Sequence, residues 1–83
     1  MDRVLVEVYV PALEKSYDVF LQRESRLYEV VELLAQTIKD VSKGHFIPNE
    51  ATALYERESG RPLDMNQTIE ALKIINSSQL LLI

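Results

Sequence analysis

Few side chains in this sequence could perform chemistry, and none has partners at a useful spacing. His45 is the only histidine, so a metal or catalytic site there would have to recruit carboxylates from unrelated positions. Ser59 precedes a glycine but lacks the strand-to-helix elbow that positions a nucleophilic serine. The 83 residues include no cysteine, which excludes disulfides, thiolate metal sites and thiol nucleophiles among them. We therefore predict that the chain is not an enzyme and has no cofactor, and that His45 is a solvated loop residue.

Charge and length limit the class of protein. The 13 acidic residues outnumber the 9 basic ones and give a formal charge of −4, which repels a phosphate backbone, so we expect no nucleic acid partner. No stretch approaches the roughly 20 apolar residues that span a bilayer, and the first residues lack a secretory signal pattern. We expect a cytoplasmic chain without direct membrane insertion. Residues 1–83 are predicted to form one domain, because smaller pieces bury too little apolar surface to fold alone.

Two alternating segments predict a pair of strands at the start of the chain. Valine occupies every second position from Val4 to Val10, the pattern of a strand with one buried face. Pro11 ends that strand. Residues 17–22 alternate in the same way, and they lie close enough to the first strand to form a hairpin with it.

One amphipathic helix is predicted after the hairpin. Ser25 is the expected N-cap, because its hydroxyl can accept a hydrogen bond from a free amide of the first turn, and Glu29 complements the helix dipole. Gly44, with a proline shortly beyond it, places the end of the helix near residues 42–43. The apolar stripe that is expected to pack on a sheet consists of Leu27, Val30, Val31, Leu34, Ile38 and Val41.

The second half of the chain predicts shorter elements. Residues 52–57 are expected to form a third strand, and Leu63 to begin a small fourth strand after a turn containing glycine and proline. Residues 66–75 carry apolar residues in a mixed pattern, for which we expect a turn of 3₁₀-helix. Residues 79–83 are predicted to form a final apolar strand inside the sheet.

The order of these elements resembles the ubiquitin-like β-grasp family over nearly the whole chain. The resemblance is most specific in Leu54-Tyr55, Gly60, Pro62-Leu63-Asp64, Thr68-Ile69, Leu72, Ile74 and the segment Ser78 to Leu82. It implies an α+β fold: a mixed sheet of four to five strands in the order 2-1-5-3, with one helix packed on one face. The sequence has no Gly-Gly after the last strand, so we expect no conjugation through a terminal glycine carboxylate.

Within that family the chain is most similar to the YukD/EsaB-type proteins, small ubiquitin-like components of bacterial type VII (WXG100) secretion systems. This narrower resemblance lies in Val8-Tyr9-Val10-Pro11 and Lys15-Ser16-Tyr17-Asp18. It implies a cytoplasmic accessory role. The implied partner is a protein, either the membrane ATPase or another cytoplasmic component of the secretion system.

The candidate site is the face of the sheet that the helix leaves uncovered. If the valines of the first strand face the helix, alternation directs apolar and aromatic side chains of four strands outward. In the strand order of the family these positions are neighbours, so we expect one merged patch of the kind that marks an interface. The predicted protein-interaction residues are Leu5, Tyr9, Phe20, Tyr55, Leu81 and Ile83. Arg57 and Arg61 are interpreted as solvated residues of a hairpin tip, with an orienting rim of the patch as the alternative.

Other functions stay open at the level of the sequence. The outer apolar residues could serve cross-strand pairing alone. The same face could instead form a symmetric homodimer, which would bury the patch without another protein. A sulfur carrier or protein modifier is the third alternative, and it would require a terminal glycine that is hidden or lost.

Overall fold

A computed structural model describes residues 2–83 and shows four strands and one helix in that range. The elements are, in chain order, β1 (Arg3–Val10), β2 (Lys15–Gln22), α1 (Leu27–Val41), β3 (Leu54–Glu56) and β4 (Gln79–Leu82). The strands form one sheet in the order β2-β1-β4-β3, and α1 packs on one of its faces. The predicted α+β architecture is confirmed.

β1 is the strand that organises the sheet. It pairs with β2 in an antiparallel hairpin along its whole length and with β4 in parallel. Since parallel neighbours need a long crossover, the chain between β2 and β4, including α1, returns across one face of the sheet. β3 then pairs antiparallel with β4. The prediction that the final strand lies inside the sheet is therefore confirmed, with bounds of Gln79–Leu82.

The alternating valines of β1 form the side of the hydrophobic core that belongs to the sheet. Val8 and Val10 are completely buried, and Val4 and Val6 almost so. The helix contributes Leu27, Val30, Val31, Leu34, Ala35 and Ile38 to the same core. The prediction that these valines face the helix is confirmed, because one buried cluster contains both sets of side chains.

The helix begins one residue later than predicted. Arg26 is the N-cap, with an extended backbone (φ −78°, ψ 150°). Its amide donates to a carboxylate oxygen of Glu29 at 3.0 Å, and the Glu29 amide donates to the Arg26 carbonyl at 3.0 Å. The prediction of Ser25 as the N-cap is therefore wrong, whereas Glu29 does stabilise the first turn.

The reason is a tertiary contact that the local sequence does not reveal. The Leu27 amide donates to the Gln67 carbonyl at 2.9 Å, and the Tyr28 amide donates to the Met65 carbonyl at 3.0 Å. These are the free amides of the first turn that a cap side chain would otherwise bind. A distant backbone segment thus replaces the serine hydroxyl.

The helix ends at Val41, with Ser42 as the C-cap. Val41 was predicted to belong to the buried stripe but is 59% exposed, because it lies in the last turn, where the chain leaves the core. Phe46 in the following connection is buried instead, and its amide donates to the Ser42 hydroxyl at 3.0 Å. Gly44 has a left-handed conformation (φ +82°), as predicted. No helix within residues 2–83 has the length and apolar character of a membrane span.

The third strand is shorter than the predicted 52–57, and the small strand predicted at Leu63 does not form. A tight turn follows β3 directly, with Gly60 at φ +72°. Beyond the turn, an isolated bridge joins Tyr55 to Pro62. The bridge is held by the Glu56 amide, which donates to the Arg61 carbonyl at 2.9 Å, and by the Leu63 amide, which donates to the Leu54 carbonyl at 3.4 Å.

Residues 66–75 form a series of turns, not the predicted 3₁₀-helix. Ile69 is fully buried and Ile74 nearly so, which fixes the segment to the core at two points. The Ile69 amide also donates to the Ser25 carbonyl at 3.0 Å. These contacts order the segment without a regular helix.

We expect Ile69→Ala to lower the free energy of unfolding by about 2–5 kcal/mol, the usual cost of truncating a buried isoleucine. Ile75→Ala is the matched control, since Ile75 lies in the same irregular region but is 65% exposed, and it should change stability by less than about 0.5 kcal/mol. Chemical denaturation measures both. Equal effects would show that the turns do not form part of the core.

A second pair of substitutions tests the start of the helix. Glu29→Ala should cost about 1 kcal/mol, the scale of a helix cap, because the Arg26 amide loses its acceptor. Ser25→Ala should be close to neutral, since its hydroxyl makes no cap hydrogen bond. Thermal or denaturant unfolding distinguishes the two, and a larger loss for Ser25→Ala would contradict this assignment of the cap.

Candidate protein-interaction surface

The six predicted interaction residues all lie on the face of the sheet turned away from α1, which we call the outer face. Alternation along β1 buries its valines and directs Leu5 and Tyr9 to this face. Leu5 is 40% exposed, Phe20 60% and Ile83 56%. Tyr9, Tyr55 and Leu81 are half-buried. The predicted direction of these side chains is confirmed, whereas their role in binding stays a prediction.

Four of the residues form what we call the tyrosine cluster: Tyr9, Tyr55, Leu81 and Ile83. Leu81 of β4 lies directly between Tyr9 of β1 and Tyr55 of β3 in the register of the sheet. Ile83 follows two residues after Leu81, and its backbone exchanges hydrogen bonds of 3.0 and 3.2 Å with Ala53. Three strands thus bring two aromatic and two aliphatic side chains to one end of the outer face.

The other two residues form a separate pair. Leu5 and Phe20 lie opposite each other on β1 and β2. The guanidinium of Arg3 lies 4.7 Å from the centre of the Phe20 ring, a distance at which a cation is attracted to the face of an aromatic ring. We call Leu5 and Phe20 the phenylalanine pair.

A polar band separates the tyrosine cluster from the phenylalanine pair. Glu7 lies between Leu5 and Tyr9 on β1, and its register partners are Asp18 on one side and Gln79 on the other. A carboxylate oxygen of Glu7 accepts a hydrogen bond from Gln79 Nε2 at 3.1 Å and lies 3.5 Å from Arg57 Nη1. The expectation of one merged patch is therefore wrong.

Arg57 belongs to the outer face and not to a solvated hairpin tip. It is half-buried, its amide donates to the Gln79 carbonyl at 3.1 Å, and its guanidinium lies 4.6 Å from the centre of the Tyr9 ring. Glu7 and Tyr9 therefore hold the charged group at the border of the tyrosine cluster. Arg61 is exposed in the turn after β3, as predicted.

The polar band has a signal in the sequence. Glu7 has the same alternation parity as Leu5 and Tyr9, so the strand pattern already placed a carboxylate between them. The partners of Glu7 could not be found in that way, because Gln79 and Arg57 lie 72 and 50 positions away in the sequence. Their positions depend on the register of β4 and β3.

His45 is exposed, and its Nδ1 lies 2.8 Å from the Ser42 carbonyl oxygen. Across residues 2–83, no group of three or more histidine, cysteine or acidic side chains is placed to hold a metal ion. The arrangement on the outer face is suited to noncovalent contact, since it combines aromatic rings with a positioned guanidinium.

Comparison with known proteins identifies the fold. No family model matches the sequence, and no curated protein matches it. Among solved structures, the chain superposes on the EccD5 ubiquitin-like domain from Mycobacterium xenopi with a TM-score of 0.80 and 16% identity, covering 100% of this chain and 94% of that one.

Two further structures give the same result. The ubiquitin-like domain of the type VII secretion system protein ECCD1 from Mycobacterium tuberculosis matches with a TM-score of 0.79 and 14% identity, covering 100% of this chain and 99% of that one. A chain of a MycP5-free ESX-5 inner membrane complex matches with a TM-score of 0.81 and 18% identity, and there the aligned region is 21% of the longer chain. The protein described by these 83 residues has a ubiquitin-like β-grasp fold.

Proposed function

We propose that this chain is a non-catalytic protein-interaction module of a type VII secretion system, which docks on a larger protein through its outer sheet face. The observation that carries the proposal is the tyrosine cluster with Arg57 stacked at its border. Tyrosine and arginine are enriched among the residues that dominate binding energy at interfaces. Here they lie on a rigid sheet.

The link to secretion is supported by the kind of domain that this chain resembles. The ubiquitin-like domain of ECCD1 is part of a type VII secretion system protein, and it aligns with the whole of this chain. A chain of an inner membrane complex contains the same fold as about a fifth of its length. We propose that this chain acts on the cytoplasmic side of such a complex, as the YukD/EsaB-type proteins do by resemblance, with the membrane ATPase or another cytoplasmic component as its partner.

The tyrosine cluster is better suited to anchor a partner than the phenylalanine pair. Tyr9 on the inner strand β1 and Tyr55 on β3 are both half-buried, so their rings lose little rotamer freedom on binding. Arg57 is already held by Glu7 at 3.5 Å and can meet a carboxylate or an aromatic ring of the partner. Phe20, by contrast, is 60% exposed.

We expect Tyr55→Glu to weaken binding to the cytoplasmic part of the membrane complex from the same genome by at least about tenfold. Loss of an aromatic anchor commonly costs more than about 1 kcal/mol, and about 1.4 kcal/mol corresponds to tenfold. The new carboxylate would also be placed among apolar side chains of the interface. Biolayer interferometry with the purified components measures the change.

Ile47→Glu is the matched control, because Ile47 is 73% exposed in the connection after α1 and belongs to no strand of the sheet. It should bind as the unchanged protein does. Circular dichroism must show that Tyr55→Glu stays folded. If the folded Tyr55→Glu protein binds with unchanged affinity, the outer face is not the docking surface.

The chain by itself should remain a monomer as its concentration is raised, since the outer face is assigned to a different protein. Sedimentation equilibrium over a wide concentration range measures the mass. A dimer that dissociates on Tyr55→Glu would instead support the homodimer alternative, in which a second copy covers the same residues.

A further inference from the structure

A groove lies between α1 and the connection that leads from the helix to β3. Its volume is about 320 Å³. Val31 and Ala35 of the helix form its base, and each is 5% exposed. Its apolar walls are Pro48 of the connection and Met65 of the segment beyond β3. The groove therefore joins three parts of the chain that are far apart in sequence, and no strand of the sheet lines it.

Hydrogen bonds hold both walls of the groove in place. The Asn49 amide donates to Thr52 Oγ1 at 2.8 Å, and the Thr52 amide donates to the Asn49 carbonyl at 3.0 Å, which closes a turn beside Pro48. On the other side, the Tyr28 amide donates to the Met65 carbonyl at 3.0 Å. The groove is thus formed before a ligand arrives, and a preformed site lowers the entropic cost of binding.

The helix presents three exposed side chains to the groove, namely Tyr28, Glu32 and Gln36. They follow one another at a spacing of four residues, which makes them neighbours on the helix surface. Tyr28 is 47% exposed, so part of its ring faces solvent. An aromatic ring and a carboxylate therefore stand side by side above an apolar base.

The negative charge of Glu32 is not neutralised by a neighbour. Its carboxylate makes no ion pair within residues 2–83. The guanidinium of Arg26 is engaged elsewhere, since its Nη1 donates to the Asn66 carbonyl at 2.6 Å. Lys39 is about two turns further along the helix and does not line the groove. The groove thus offers an unpaired carboxylate to a cationic ligand.

The combination of groups favours arginine over lysine as that cation. A planar guanidinium can donate two parallel hydrogen bonds to one carboxylate and can also stack on an aromatic ring. The ammonium group of lysine is a compact point charge that matches neither geometry. The apolar base beneath Glu32 suits an aliphatic side chain that follows the arginine in the same segment.

We infer that this groove is a second binding site, which takes an arginine of another protein. The guanidinium pairs with Glu32 and stacks on Tyr28, and an adjacent aliphatic side chain covers Val31 and Ala35. This site goes beyond the proposed function, because none of its residues belongs to the outer face.

The test uses the ¹⁵N-labelled protein and the capped peptide acetyl-Ser-Leu-Arg-Leu-Ser-amide. Binding should shift the amide resonances of Tyr28, Glu32, Gln36 and Thr52. Peptides with lysine or with citrulline, a neutral analogue of similar shape, in place of arginine should bind about fivefold more weakly, the scale of an exposed ion pair. Equal affinity of the three peptides would overturn the proposal.

Substitutions in the protein test the two groups that contact the guanidinium. Glu32→Gln should weaken binding of the arginine peptide by about fivefold. Glu58→Gln is the matched control, since it removes the same charge from an exposed residue outside the groove, and it should bind as the unchanged protein does. Tyr28→Phe should keep binding because it keeps the ring, whereas Tyr28→Ala should lose it. Unchanged binding by folded Glu32→Gln would overturn the proposal.

The groove and the outer face can be tested separately. Tyr55→Glu should bind the arginine peptide as the unchanged protein does, so a failure of one site is distinguishable from a failure of the other. Shifts centred on Tyr9 and Tyr55, or no shifts up to the solubility limit of the peptide, would contradict the assignment to the groove. Self-association that is lost on Glu32→Gln would show that a second copy of the chain, and not another protein, supplies the arginine.

Discussion

The whole structure depends on the burial of one side of β1 against α1. Val4, Val6, Val8 and Val10 are each 5% exposed or less, and no other strand contributes as many core residues. Once these valines face the helix, period-two geometry determines the direction of every neighbouring side chain and backbone group. A slip of one residue in β1 would bury Glu7 and expose the valines, so the register is strongly specified.

The composition of the outer face follows from that single parity. The side chains of Asp18 and Phe20 on β2 point to the outer face. The backbone amides and carbonyls of the same two residues point away from β1, to the open edge of the sheet. The Phe20 ring lies beside Arg3 on the outer face.

The polar band gives the outer face two separate apolar areas. Glu7 connects β1 to Gln79 of β4 and to Arg57, the residue after β3, through contacts of 3.1 and 3.5 Å. Because these contacts are half-exposed, they contribute little to folding stability, but they keep Arg57 over Tyr9. The band thus orients a cation toward the cluster that we assign to binding, and it limits the size of the continuous apolar area.

The sequence alone determined the opening hairpin, the helix and the direction of the outer residues, because alternation and helical periodicity are local properties of the chain. The fold class and the place of the final strand were also predicted, with the help of a family resemblance. Tertiary structure decided what local patterns cannot encode. Residues 65–67 replaced Ser25 as the cap of the helix, and the register of β4 and β3 brought Arg57 to Tyr9. Each of these joins residues far apart in sequence, and such contacts exist only after the core has formed.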